Sequence, residues 1–154
     1  MGVIRKARNW LSLDWKTMLA FIEAYVYLGW ARFLVSRPFA EITPSLGEAM
    51  EETPETSLPE QEGRLRVVYD AVQIMSRHTF WESKCLVRAI AALKMLERRR
   101  IESTLYLGTA KDEAGKLIAH AWLRSGPYYI TGAEEMGRFR VVGKFAKRIS
   151  DKGK

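Results

Sequence analysis

The sequence predicts an α+β domain, with helices first and an antiparallel sheet after them. Three observations carry this. Apolar residues recur at helical spacing over 18–35, 65–77 and 85–100. After Ile101 the period changes to the alternation of strands. The chain has 154 residues, 47% apolar and 11% aromatic, which is enough for one packed domain with an appended arm.

The start, Met1 to Lys6, is basic but lacks the plan of a signal peptide, because no small-residue cleavage site closes a short apolar core. Met18 to Val35 is almost continuously apolar. Glu23 and Arg32 interrupt it, and each would cost about 2.5–3.5 kcal/mol near a bilayer centre. The stretch therefore reads as an amphipathic or largely buried helix, ended by Pro38. Ala40 to Gly63 carries Pro44, Pro54, Pro59 and an acidic bias, and reads as a solvated linker with a short helix near Leu46–Met50. The expected division is 1–63 as N-terminal helical arm and linker, 64–146 as core and 147–154 as basic tail.

Within the core, Val67, Ala71 and Met75 line one face of a helix over 65–77. A second helix runs from Cys85 to about Arg100, with Leu86, Ala89, Ile90, Leu93 and Leu96 as its buried stripe. Strands are expected at 103–108, 117–124, 128–131 and 139–145, with a turn over Lys111–Lys116 and a hairpin at Ser125-Gly126-Pro127.

Lys and Arg total 25 against 18 Asp and Glu, a formal +7, which favours an anionic partner. No RNA-recognition, finger or helix-turn-helix signature turns that charge into nucleic-acid readout. One cysteine excludes an intramolecular disulfide and permits a reducing compartment. With neither CxxC nor HExxH, and only His78 and His120, no metal and no cofactor are expected.

The single cysteine is the first candidate for chemistry. A thiol attacks as thiolate, which a helix N-terminus and a nearby imidazolium both favour. Ser83 as N-cap puts Cys85 in the first turn, whereas a capping box from Thr79 and Glu82 would bury it deeper. A small buried hydrophobe is the competing role for a free cysteine. His120 stands in an apolar strand, sharing a face with Ile118 and Trp122. A base presented to the thiol is one reason for a histidine there, and a satisfied core histidine is another. His78, in the loop before the cysteine helix, is the rival base.

Four segments together resemble a family: Trp81…Lys84-Cys85-Leu86-Val87-Arg88-Ala89, Ser103-Thr104-Leu105-Tyr106-Leu107-Gly108, Ala119-His120-Ala121-Trp122-Leu123 and Ile130-Thr131-Gly132. They are similar to the leader peptidases of lasso peptide biosynthesis, which are transglutaminase-like, distantly papain-like cysteine proteases. The resemblance covers about Val67 to Phe145, and the region Phe33…Arg37-Pro38-Phe39 with the Pro-rich linker fits the family's N-terminal part. It implies a cysteine at the N-terminus of a helix packed on an antiparallel sheet, with Cys85 as nucleophile and His120 as general base. Many members carry an aspartate on the strand after the histidine. Here the matching position is Gly132. Pairing Arg124 with Tyr128 puts His120 opposite Gly132, and pairing it with Pro127 puts His120 opposite Thr131. Glu134 is then the candidate third member, and a Cys-His dyad is the alternative. The Cys85 backbone N–H is the expected oxyanion donor, with the Trp81 indole N–H as candidate second donor.

The resemblance further implies hydrolysis of one peptide bond, releasing the leader from a ribosomally made precursor in the cytoplasm. A small leader-binding protein would deliver the precursor and an ATP-dependent macrocyclase would follow. Trp10, Trp15, Tyr25, Trp30 and Phe33 would form the docking surface for that partner or the leader, ahead of contact with a membrane. The alternatives are a non-catalytic peptide-binding or assembly protein of the same fold, and an acyl transferase using the same Cys-His pair.

Overall fold

The computed structural model describes residues 15–79 and 84–149. Trp10 and Trp81 lie outside them, as does the expected cap Ser83.

Helix α1 (Trp15–Leu34) buries Ala20, Phe21, Ala24, Leu28 and Ala31. Three of these are alanines, whose small side chains let α1 approach its neighbours closely. Those neighbours are α3 (Glu62–Met75) and α4 (Cys85–Arg98). Glu23 reaches from α1 to the end of α4, where Arg99 holds both of its oxygens at 2.9 Å and Arg98 approaches one at 3.1 Å. One hydrophobic cluster runs from Ala20 through Leu65 and Ile90 to Phe145. The packing therefore does not divide at residue 63, and α1 is one wall of the core rather than a separate arm.

The 40–63 stretch also departs from expectation. The short helix is α2 (Phe39–Leu46), upstream of the expected 46–50. Pro38 stands at its N-cap, and Ile42 and Leu46 are buried one turn apart. Gly47, at φ 124°, ends it. The next residues, β1 (Glu48–Ala49), pair with β5 (Arg140–Lys147) at the sheet edge. Thr53 is buried, its N–H donating to Thr104 Oγ1 at 2.9 Å. What composition marked as solvated linker is, at residues 48–57, a strap fastened across the sheet.

The sheet has the order β1-β5-β2-β3-β4, antiparallel throughout, with β2 (Ser103–Lys111), β3 (Leu117–Ser125) and β4 (Tyr128–Thr131). Strands β2 to β5 each lie within three residues of where alternation put them, and β1 was not expected. The β2–β3 turn closes on Asp112, whose Oδ1 accepts the N–H groups of Ala114 and Lys116 at 2.9 and 2.8 Å. Leu105, Ala121 and Leu123 face the helices within the core cluster. Tyr106, His120 and Trp122 alternate with them on the other face, beneath the strap.

The strap is fixed by a polar cluster on that second face. Tyr106 Oη donates to Glu52 Oε1 at 2.6 Å and accepts from Arg124 Nε at 3.0 Å. Burial, then the bond to Glu52, pushes the Tyr106 phenol up from 10.0 to about 12. That same hydrogen bond, with Lys144 and Arg124 nearby, holds the Glu52 carboxyl below its usual 4.5. The two shifts have opposite signs of linkage. The Glu52 contribution is present above the unfolded value and is lost as pH falls through the lower folded one; the Tyr106 contribution is lost as pH rises from 10.0 towards about 12. Tyr106→Phe should therefore cost about 1 kcal/mol at neutral pH, and its gap from wild type should narrow at both extremes. Urea midpoints across pH check this, and a gap constant across pH would count against the bond.

Candidate active site

Cys85 is the first residue of α4. Lys84, at φ −71° and ψ 173°, is the N-cap and contributes no side-chain cap bond. The helix starts one residue later than a Ser83 cap would have it, and Cys85 still lies in its first turn. The thiol is half-buried and packs against the edge of the core cluster. Beside it lies a cleft of about 270 Å³ lined by Arg32, Val35, Lys84, Leu86 and Val87, so that residues on both sides of Cys85 form its wall. A larger groove, about 590 Å³, lies between α3 and β4, lined by Glu62, Tyr69, Tyr128 and Tyr129 among others; neither Cys85 nor His120 lines it.

His120 is 9% exposed on β3 and is clamped by aromatic rings. Its ring centroid lies 5.0 Å from that of Phe139 and 5.8 Å from that of Trp122, which itself stacks on Tyr106 at 5.7 Å. Gly108 pairs directly across from His120. A Cβ on Gly108 would come within 2.8 Å of both Phe139 and Trp122, so the clamp needs a glycine there.

The decisive contact is His120 Nε2 to the Gly132 carbonyl oxygen, at 2.8 Å. A carbonyl only accepts, so Nε2 carries the hydrogen. In the neutral ring the lone pair then sits on Nδ1, which makes Nδ1 the basic nitrogen. Gly132 can offer its carbonyl because β4 ends there in the left-handed region, at φ 74°. The hairpin that delivers it has neither predicted register. Arg124 pairs with Tyr129 across a two-residue turn, and a bulge at Ile130 brings Leu123 opposite Thr131. Hairpin arithmetic missed this twice: the turn is Gly126-Pro127 alone, with Ser125 already paired to Tyr128, and the bulge then adds one residue to one strand only.

Glu134 does not hold the ring. It is exposed on a 3-10 turn (Ala133–Arg138), and the hydrogen bond on Nε2 goes to the backbone two residues earlier. The signal for a carbonyl acceptor was faint: a glycine closing the strand where an acid was expected. Phe139 was missed outright, since it reaches His120 from a separate element. Of the predicted docking aromatics, Trp15 and Phe33 are well exposed, Trp30 sits near the boundary and Tyr25 is partly buried against the core. His78 follows α3 in a turn, its N–H bonded to Met75 O at 3.0 Å. Cys85 and His120 are not brought into hydrogen-bond contact. The thiol borders the helix-side core, whereas the imidazole stacks on the strap side of β3.

Gly132→Ala is expected to disturb this arrangement directly. The added Cβ would lie 2.5 Å from the Ala121 carbonyl oxygen and 3.1 Å from His120 Nε2, on a backbone angle that L residues rarely adopt. A stability loss of about 1–3 kcal/mol should follow, together with loss of the slowly exchanging Nε2–H resonance of His120. Retention of that resonance in the variant would show that the carbonyl does not fix the ring.

The profile of the transglutaminase-like superfamily matches residues 24–144. The chain belongs to that superfamily, whose members are in general cysteine proteases and acyl transferases. The match begins inside α1 and takes in Cys85, His120 and Gly132, in agreement with an α+β fold. Comparisons with curated proteins and with solved structures return no match. Among the described residues no helix is long and apolar enough to cross a membrane, and no group of His, Cys, Asp and Glu could hold a metal ion.

Proposed function

We propose that this chain is a cysteine endopeptidase that cleaves the leader from a lasso-type precursor in the cytoplasm. In this reading it works with a separate leader-binding protein, ahead of an ATP-dependent macrocyclase. The observation that carries the catalytic part is the Gly132 carbonyl on His120 Nε2, which leaves Nδ1 as the base of the neutral ring. The leader-peptidase part rests on the resemblance around Cys85 and His120, within the superfamily to which the chain belongs.

The chemistry is acyl transfer to water. The thiol and the imidazole, apart in the free chain, have to meet when the peptide binds; His120 Nδ1 then takes the Cys85 thiol proton, and the thiolate attacks the scissile carbonyl carbon. The oxyanion is received by the N–H of Cys85 at the start of α4, where the dipole is positive. The imidazolium gives its proton to the leaving amine as the C–N bond breaks, leaving a thioester on Cys85. Water, deprotonated by Nδ1, attacks the thioester, and the thiolate leaves. In this scheme the Gly132 carbonyl is a positioning group that takes the place of a carboxylate.

One observation favours a second reading, a peptide-binding protein without catalysis: the thiol and the imidazole make no hydrogen bond with each other. The single cysteine makes the two readings separable. Alkylate the protein with iodoacetamide, remove the reagent, and add it to precursor and leader-binding protein. Mass spectrometry should show a single leader cleavage for untreated protein and none for alkylated protein. Equal cleavage by both, or cleavage by neither, would end the peptidase assignment. An amide product formed with an added amine would move the reaction to acyl transfer.

A further inference from the structure

Helix α1 buries one face and leaves a second apolar face uncovered. Trp15, Leu19, Ile22, Val26, Trp30 and Phe33 are exposed, with Trp15 at 66%, Val26 at 62% and Phe33 at 63%. At 3.6 residues per turn these six fall within about 80° of arc, a single ridge along the helix. Five of them are spaced 4, 3, 4 and 7 residues apart, the repeat of a coiled-coil seam. The stripe that a surface helix turns to its own core is broader, at least about 100°, and the narrow one is the coiled-coil seam.

The net charge beside the ridge is positive. Lys16 lies over the Trp15 ring at 5.8 Å and Arg37 over Phe33 at 5.9 Å, with Arg32 in the last turn. Helices α1 and α4 carry one carboxylate each. Glu23 is matched by Arg98 and Arg99, and Glu97 by Lys94 and Lys147. The surface around the seam is therefore net cationic. A second copy of this chain would set Lys16 and Arg32 of one ridge against the same cations of the other, which disfavours self-pairing.

We propose that the α1 ridge is a docking seam for an amphipathic helix of another protein, apolar at its seam positions and acidic on its flanks. Acidic residues beside the seam would meet Lys16, Arg32 and Arg37 as the flanking charges of coiled coils do. The proposal stands on this surface alone. The iodoacetamide experiment leaves it untouched, and its own test does not depend on cleavage.

The probe is a fluorescent synthetic peptide of about three heptads with Leu and Ile at the seam and Glu on the flanks, beside a control with Lys flanks. Anisotropy with the full chain should rise for the Glu peptide and not for the Lys peptide. Ile22→Glu with Val26→Glu should weaken that binding more than about tenfold, with circular dichroism unchanged because both sites are on the surface. Absence of binding, equal binding of the two peptides, or insensitivity to the double substitution would each overturn the proposal. So would two other losses caused by the same substitution: binding to phosphatidylglycerol vesicles in place of the peptide, which assigns the ridge to a membrane, or a dimer seen by light scattering, which assigns it to a second copy.

Discussion

Cys85→Ala should remove cleavage altogether, and His120→Ala should lower it by roughly 10⁴-fold or more, because in the proposed peptidase nucleophile and base would act as a unit. The double variant should then be no worse than Cys85→Ala, since losses within one catalytic unit do not add. Cys85→Ser is a sharper probe than alanine. It keeps the shape of the first turn of α4 and changes only the nucleophile, so residual cleavage measures what a hydroxyl achieves with the same base. His120→Gln separates chemistry from structure: its amide can still donate to the Gly132 carbonyl but cannot take a proton. If His120→Gln cleaves like wild type, the imidazole is a structural ring in an aromatic clamp and the base lies elsewhere. All five variants are to be compared at saturating and at limiting precursor, because loss of the base should appear in kcat while KM stays near wild type.

The elements with long periodic patterns were legible in the sequence. Helix α4 carries eight buried residues along fourteen, and β2 and β3 are nine-residue runs on either side of the Lys111–Lys116 turn, so type could be read directly and limits to within three residues. Helix α1 was legible as a helix but not as a wall of the core. Its buried face is three alanines with only Phe21 and Leu28 beside them, while most of its larger apolar residues point outward, the reverse of the usual cue. The strap at 48–57 was illegible for a different reason. Its local composition is acidic and Pro-rich, and what holds it are Thr104, Tyr106 and Arg124, 50 to 70 residues away. The site divided in the same way. A cysteine at a helix start and a histidine in an apolar strand are local features. The carbonyl that orients the histidine depends on a bulge at Ile130 and a left-handed glycine, and its chemistry belongs to the backbone, which side-chain patterns do not report.

Arg124→Leu should give the largest stability loss of any single substitution on the strap side, about 3–5 kcal/mol from several acceptors left unsatisfied at about 1–3 kcal/mol each, out of the roughly 5–15 kcal/mol available to a domain. The side chain is 3% exposed and, among the described residues, no carboxylate bonds to it. Its guanidinium is spent on carbonyls: Gly126 O at 2.8 Å, Thr53 O at 2.9 Å and Pro54 O at 3.2 Å, with Tyr106 Oη at 3.0 Å. Leucine fills part of the volume but leaves these acceptors buried without donors, and each either loses its bond or drags the strap into water. The strap also lies against the β3–β4 turn, where a Cβ on Gly126 would come within 2.8 Å of Ser57 Cβ, so lifting it opens the hairpin that ends in Gly132. Arg124→Lys should recover only part of the loss, since an ammonium keeps the charge but not the planar fork that reaches Gly126 and Thr53 together. Two measurements read this out: the urea midpoint, and the rate at which a protease cuts between Thr53 and Leu58. Both should change for leucine, and by less for lysine. If Arg124→Leu costs under about 1 kcal/mol, as an ordinary surface change does, the strap is held by Glu48–Ala49 pairing and Thr53 alone, and the guanidinium is not its clasp.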